Sequence, residues 1–239
     1  MSPYFTIVVA VFITCLITAN ITAVKLVAVA GLVVPAGLVI FPNSYVCGDV
    51  LTEVYGYAQA RRVIWLGFLC NLLAVAAIWV GQVLPAAPFW DAQPAYARIL
   101  GYTPRLLGAS FLAYLAGEFA NAAVLAKMKV ATHGRWLWTR LIGSTVIGQG
   151  LDSLVFITTA FTGVIPAGAL AATILTQWLV KVAYEALMTP VTYRVVAFLK
   201  QREGRDAYDD RTRLNPLLLG DARSMIGGGI ALAERRDGA

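Results

Sequence analysis

The sequence has few charged residues. Asp, Glu, Lys and Arg make up 13% of the 239 residues, whereas about 25% is usual in a soluble domain. Hydrophobic residues make up 59%, and the mean hydropathy is +0.72. This composition indicates an integral membrane protein and gives no sign of a separate soluble domain.

Histidine and cysteine are scarce as well. The one histidine, His133, lies in a basic stretch, and the three cysteines, Cys15, Cys47 and Cys70, are far apart in apolar sequence. Zinc and haem sites need clustered ligands, and a disulfide framework needs an even number of cysteines at close spacing. We therefore expect no metal site, no cofactor and no disulfide framework.

Several functional motifs are also missing from the sequence. No GxxxxGK[ST] stretch is present, so the chain does not hydrolyse ATP by itself. MSPYF at the N-terminus has no basic region or cleavage site, so the first apolar block is interpreted as a retained helix. The net charge is +6, but the cations cluster at helix ends, as the positive-inside rule predicts, and we expect no nucleic-acid binding.

Six apolar blocks of about twenty residues, the length that crosses a bilayer, predict transmembrane helices. They lack the alternating pattern of outer-membrane strands, so the expected fold class is an all-α integral membrane bundle of six transmembrane helices. The second block is the most polar and also fits a broken or re-entrant segment. The predicted bounds are about Tyr4–Val27, Leu38–Tyr57, Val63–Leu84, Leu107–Lys127, Arg140–Thr162 and Ala169–Leu199.

Basic residues mark one side of this bundle. Arg61 with Arg62, the cluster from Lys127 to Arg140, and residues 200–205 fall at alternate helix ends, which places both termini in the cytoplasm. Residues 1–200 form the predicted transmembrane domain. Residues 201–239 are charged and Gly-rich, and we expect a flexible cytoplasmic tail there.

The stretch RLIGSTVIGQGLDSLVF, residues 140–156, is the most informative part of the chain. Asp152 lies near the middle of an apolar helix, where a charged residue costs about 2.5 to 3.5 kcal/mol and usually marks a ligand or ion path. Four-residue spacing puts Arg140, Ser144, Gly148, Asp152 and Phe156 on one face, with Gln149 beside them. A purely structural role for a buried, paired Asp152 is the alternative.

Other blocks carry polar stripes at the same spacing. Asp49 and Glu53 share a face with Tyr45, and two ionised carboxylates so close need a nearby cation or a proton. For Glu53, pairing with Arg61 or Arg62 at the helix end is an equal alternative. A further stripe and an isolated amide are Gln177, Lys181 and Glu185 in the last block and Asn20 in the first.

The charge balance inside the apolar blocks favours a particular class of ligand. Lys181 is the natural partner for Glu185, Asp152 or Glu118. The intramembrane carboxylates, which also include Asp49 and Glu53, outnumber the lysines. This surplus points to a donor-rich or cationic ligand, or to bound protons.

Four stretches of the sequence resemble the queuosine precursor transporter family, also called the vitamin uptake transporter family. They are FPNSYVCGDVLTEVYGYAQARRVIWLGF, AGEFANAAVLAKMKV, TRLIGSTVIGQGLDSLVF and KVAYEALMTPVTYRV, and the resemblance covers about Ile13 to Arg202. It implies a multi-pass importer in the bacterial inner membrane for 7-deazaguanines such as preQ0 and preQ1, salvaged for queuosine in tRNA. It also implies a fold similar to energy-coupling-factor transporter substrate-binding components. Position 177 is Gln where the family pattern suggests Asn, and the tail has no counterpart.

That substrate class suggests roles for the polar residues. A deazaguanine offers paired N–H donors that a carboxylate accepts, an O6 that needs an amide or Lys181, and a flat face that stacks on aromatic rings. The expected roles are Asp152 or Glu185 at the donor edge, Gln149, Gln177 and Asn20 at the remaining polar atoms, Phe156, Tyr45 or Trp178 at the ring face, and Asp49 or Glu53 at the aminomethyl cation of preQ1.

Other functions stay open at this point. A coupling-factor partner driven by ATP fits the small face formed by Ala19 and Ala23, and proton-coupled transport of another polar heterocycle fits the carboxylates. An intramembrane aspartyl protease using Asp49 and Asp152 is disfavoured because CGDV lacks the first glycine of the GxGD pattern. We therefore expect a transporter and not an enzyme, and the sequence leaves a homo-oligomer open.

Overall fold

The protein is described here from a computed structural model, which places residues 2–29, 32–101, 104–164, 166–210 and 212–218. Helices dominate this part of the chain, and the predicted all-α membrane bundle is confirmed. The helices are α1 (Pro3–Thr22), α2 (Phe41–Val50), α3 (Tyr57–Val83), α4 (Gln93–Leu100), α5 (Pro104–Ala131), α6 (Leu137–Phe161) and α7 (Ala167–Glu203). Five spans in the described residues are long and apolar enough to cross a bilayer: α1, α3, α4 with α5, α6, and α7.

The second predicted block is broken, as its polar content allowed. The first helix ends at Thr22 and not near Val27, and an antiparallel hairpin of β1 (Leu26–Val29) and β2 (Leu32–Pro35) follows. A short 3-10 turn leads into α2, which continues as a π turn at Leu51–Tyr55. From residue 41 to residue 55 this segment rises only about 22 Å, less than the hydrocarbon thickness of about 30 Å.

The end of α1 packs tightly on the 3-10 turn at Ala36–Val39. A Cβ at Gly37 would lie 2.5 Å from the carbonyl oxygen of Ala19 and 3.2 Å from the Cβ of Ala23, so only glycine fits there. The small face of α1 that suggested docking of a partner helix is therefore covered by this chain itself. It gives no support to a coupling-factor partner.

The central pair of helices is α5 and α6, which meet through small residues. A Cβ at Gly148 would lie 2.6 Å from the Cβ of Asn121, and one at Gly117 would lie 2.8 Å from the Cβ of Asp152. Small residues let membrane helices approach closely. The glycines thus bring the polar side chains of α5 and α6 to the same depth.

The two ends of the described chain meet at one end of the bundle, which we call the tail-side end. Ser2 caps α1 by accepting from the amide of Phe5 at 3.1 Å, and its hydroxyl donates to the Glu203 carboxylate at the end of α7. The Tyr55 hydroxyl donates to the same carboxylate at 2.8 Å. The start of α1, the end of the π turn and the end of α7 therefore lie together.

The first part of the C-terminal tail is docked on the bundle. The Tyr57 amide donates to Asp209 at 2.9 Å, and Arg61 donates to the carbonyls of Arg213 and Asn215 at 3.0 and 2.9 Å. Trp65 donates to the carbonyl of Pro216 at 2.9 Å. Residues 201–210 and 212–218 therefore lie against the bundle, residues 219–239 lie outside the described part, and the flexible tail stays a prediction.

Candidate functional site

A cavity lies between the start of α2, the middle of α6 and the middle of α7. The space inside it that a water molecule can occupy is about 10 Å³, room for about one water, so a larger solute requires the walls to move apart. The lining carries amide, ammonium, carboxylate and hydroxyl groups together with aromatic rings, and small-molecule sites use such polar groups to orient a ligand. The lining residues are Phe41, Pro42, Tyr45, Thr145, Gln149, Lys181 and Glu185.

Four of these side chains have polar atoms without a partner. Within the described residues, the Tyr45 hydroxyl, the Thr145 hydroxyl and one oxygen each of Gln149 and Glu185 make no hydrogen bond. All four residues are at most 3% exposed. Since more than about 90% of buried polar groups in proteins are hydrogen-bonded, four unpaired groups around one cavity indicate a site for a polar ligand.

An ion pair between α6 and α7 forms one wall of the site. Lys181 donates to the Asp152 carboxylate, and both side chains are more than nine-tenths buried. This is one of the three pairings that the sequence left open for Lys181. The ammonium also lies 5.0 Å from the ring centroid of Phe41, a cation–π contact. Lys181 therefore connects Asp152 to the cavity. The Asp152 carboxylate is already hydrogen-bonded to Lys181.

Two further carboxylates lie behind the cavity. Asp49 accepts from the Asn121 amide at 2.6 Å, and its second oxygen has no partner among the described residues. Glu118 is 1% exposed, and its carboxylate faces Gly48, 3.2 Å from the position of a Cβ there. The Asp49 carboxylate interacts electrostatically with Glu118 and with Glu185. Carboxylates therefore outnumber the lysine in this region.

Four residues at the site were missing from the predicted set: Phe41, Pro42 and Thr145 on the cavity wall, and Glu118 behind it. Phe41 starts the first family-like motif and lies on the cavity wall, with its ring edge-to-face against Tyr45 at 5.1 Å. Glu118 was considered only in the charge balance and as a possible partner of Lys181, although a single carboxylate inside α5 is itself a signal for a functional site. A carboxylate inside an apolar helix was thus enough to identify Glu118 as a candidate site residue. The sequence did not predict which residues it would contact.

Four other predicted residues do not line this cavity. Asn20 donates to Asn71 at 3.1 Å and joins α1 to α3. The indole of Trp178 donates to the carbonyl of Val146 at 2.9 Å and covers Gly150. Phe156 packs edge-to-face on Phe161 at 6.1 Å. Gln177 is half-buried, and its amide oxygen has no partner in the described part of the chain.

Glu53 lies at the tail-side end, in a separate charged cluster. Arg140 binds both of its carboxylate oxygens, at 2.8 and 2.9 Å, and Lys200 donates to one of them at 2.6 Å. The suggested pairing with Arg61 or Arg62 is wrong for Arg61, which donates to backbone carbonyls of the tail. Because its charge is matched by these cations, Glu53 is not a member of the cavity site.

The fold and the site together define a class of protein: a multi-pass membrane protein with a buried polar cavity. Comparison with known families agrees. Residues 35–195 match the family described as putative vitamin uptake transporter, and the chain therefore belongs to this family. This membership confirms the resemblance read from the four motifs and indicates a transporter, not an enzyme.

Two relatives of the chain carry related names. A protein of Bacillus subtilis (strain 168) named "Probable queuosine precursor transporter" is 32% identical over 179 residues, which cover 74% of this chain and 78% of that protein. The "Queuosine precursor transporter" of Escherichia coli (strain K12) is 28% identical over 121 residues, or 51% of this chain and 52% of that protein. No solved structure gives a significant match to the chain.

Proposed function

We propose that this protein imports queuosine precursors, namely 7-deazaguanines such as preQ0 and preQ1, for use in tRNA modification. The names of its two relatives support the substrate class. The observation that carries the proposal is the lining of the cavity, in which one oxygen of the Glu185 carboxylate and the amide oxygen of Gln149 have no partner among the described residues and lie beside an aromatic ring and a lysine. Such a set of groups suits a flat heterocycle with several N–H donors.

The chemistry of the lining assigns a role to each group. Glu185 accepts from N1–H and the exocyclic amine of the deazaguanine, because Asp152 is already held by Lys181. Lys181 donates to O6 of the ligand, and the amide oxygen of Gln149 accepts from a remaining N–H of the ligand. The ring of Phe41 stacks on the ligand. Of the two carboxylates that the sequence offered for the donor edge, the geometry thus favours Glu185.

The basic residues suggest how the protein is oriented. The tail-side end carries the start of α3, the end of α5, the start of α6 and the end of α7, and nine of the 19 lysines and arginines of the chain lie in or beside these helix ends. The positive-inside rule then places the tail-side end in the cytoplasm of a bacterial inner membrane. The cations concerned are Arg61, Arg62, Lys127, Lys129, Arg135, Arg140, Lys200, Arg202 and Arg205.

Ligand-dependent thermal stabilisation of the purified protein tests the proposed substrate. We expect preQ0 or preQ1 to raise the melting temperature, with smaller effects from queuine and guanine. Glu185→Gln should remove this stabilisation, while Asp91→Asn, which changes an exposed loop carboxylate, should keep it. Stabilisation by none of the four compounds would refute the 7-deazaguanine assignment.

Uptake measurements test the transport step. In a bacterial strain that makes no queuosine precursor and lacks its own transporter, expression of this chain should restore queuosine in tRNA when preQ1 is supplied. If the chain works alone, expressing it in the same strain without any energy-coupling factor should restore queuosine in tRNA to the same extent. Loss of uptake in that background would show that an ATP-driven partner is needed.

A further inference from the structure

Five charged side chains from five parts of the chain meet at the tail-side end. This tail-side charge cluster consists of Glu53, Lys129, Arg140, Lys200 and Asp206. Lys200 bridges the two carboxylates, at 2.6 Å to Glu53 and 2.8 Å to Asp206, and Lys129 donates to Asp206 as well. Burial alone would raise the pKa of Asp206, but hydrogen bonds from Lys129 and Lys200 lower it below its usual value. The cluster thus joins the π turn, α5, α6, α7 and the tail.

The cluster and the cavity are connected along one helix face. Arg140, Ser144 and Gln149 lie on the polar side of α6, and all three are at most 1% exposed. Nine residues of helix separate Arg140 from Gln149, which corresponds to about 14 Å. The polar face of α6 therefore runs from the cavity to the cluster, and the cluster closes its tail-side end.

The backbone around Glu53 is irregular. Glu53 lies in the π turn at Leu51–Tyr55, and Gly56, directly after it, has a φ of 84°. A π turn inside a helix is frequently found at functional sites. A Cβ at Gly56 would lie 3.1 Å from the Cβ of Ala207, so the tail packs directly against this turn. A change in the tail thus reaches the segment that carries Glu53.

We propose that the tail-side charge cluster is the gate through which the solute leaves, and that the docked residues 204–210 and 212–218 are the latch that holds it closed. The inference rests on the proposed transport function but not on the identity of the solute. Buried ion pairs gain little net free energy over their hydrated charges, so water entering from the tail side replaces them at low cost. An apolar plug of the same size offers no such route.

The gate predicts that weakening the latch exposes the polar face of α6 to water. The reporter is Ser144→Cys in a variant without Cys15, Cys47 and Cys70, labelled by a small membrane-impermeant thiol reagent in the absence of ligand. Adding Asp206→Asn removes the charge-assisted contacts with both lysines. Because Asp206 is 44% exposed, water screens these contacts, and we expect labelling to become about two- to fivefold faster.

The controls separate opening of the gate from loss of structure. Asp210→Asn changes an exposed carboxylate of the same tail segment and should leave the labelling rate unchanged. Labelling that stays slow in Asp206→Asn, or that rises equally in Asp210→Asn, would overturn the inference. Because the assay contains no ligand, its result is independent of the 7-deazaguanine assignment.

A kinetic measurement provides a second readout that does not need the cysteine-free variant. In proteoliposomes, Asp206→Asn should change the maximal rate of preQ1 transport and leave KM unchanged, because the cavity lies outside the altered contacts. A variant that raises KM and leaves the maximal rate unchanged would refute the role of the cluster as a gate.

Discussion

Replacing Glu53 by glutamine tests the tail-side charge cluster at its centre. The carboxylate is 0% exposed and receives two hydrogen bonds from Arg140 and one from Lys200. Glu53→Gln keeps the size of the side chain but removes the negative charge that these cations share. The variant therefore leaves buried positive charge without a matching carboxylate.

The structure allows the loss of stability to be estimated. Removing one partner of a buried ion pair costs about 3 to 5 kcal/mol. Two contacts reduce this figure: Lys129 keeps Asp206 and two carbonyls, and Lys200 is 24% exposed and reaches water. Arg140 is 1% exposed and keeps only the carbonyl of Arg135 at 2.6 Å among the contacts of its guanidinium. We therefore expect a loss near the lower limit, about 3 kcal/mol.

Thermal unfolding in detergent measures this loss. For a domain of this size a change of 1 kcal/mol moves the melting temperature by about 2 to 4 °C, so Glu53→Gln should lower it by about 6 to 12 °C. The double variant Glu53→Gln with Arg140→Gln should recover part of the loss, because the orphaned charge is then removed. A melting temperature within about 1 °C of the wild type would refute the buried cluster.

Three further predictions address the cavity and the tail. Lys181→Met should lower both the melting temperature and the affinity for preQ1 in titration calorimetry, because it leaves the Asp152 carboxylate unpaired, whereas Lys25→Met at an exposed position should change neither. The aminomethyl compound preQ1 should bind more tightly than the nitrile preQ0, and Glu118→Gln should reduce the difference, because the carboxylates near the cavity outnumber its lysine. Because the pKa of Asp206 is lowered by docking, docking should be complete above the usual carboxyl pKa of about 3.9 and weaken as the pH falls below it. Limited proteolysis with an acid-active protease, at one pH above about 3.9 and one below it, measures how far the tail undocks. Equal cleavage of the tail at the two pH values would contradict the prediction.

Much of the cavity could be predicted from the sequence because helix periodicity places its residues. Gln149 and Asp152 were identified from the polar face of α6, and Lys181 and Glu185 from their four-residue spacing on α7. The structure brings three of these four, with Tyr45, into the cavity lining and holds Asp152 on its wall through Lys181. Spacing within one helix carries this information, since residues on one face share their surroundings.

Contacts between distant parts of the chain could not be predicted in the same way. Glu53 binds Arg140 and Lys200, which are 87 and 147 residues away in sequence, and not the nearby Arg61. Arg61 binds backbone carbonyls of the tail, and carbonyl acceptors are present at every residue, so composition gives no signal for them. The charged composition of the tail predicted disorder, because composition does not show that backbone carbonyls of the tail bind Arg61.

The two polar regions of the bundle differ in how completely their charges are matched, and this difference indicates which step of transport the structure represents. At the cavity, four buried groups lack partners within the described residues, so a polar solute bound there would satisfy them. At the tail-side end, by contrast, both oxygens of Glu53 are fully bonded. If the cluster is the proposed gate, the structure corresponds to a state closed toward the tail side, in which a solute must first widen the cavity.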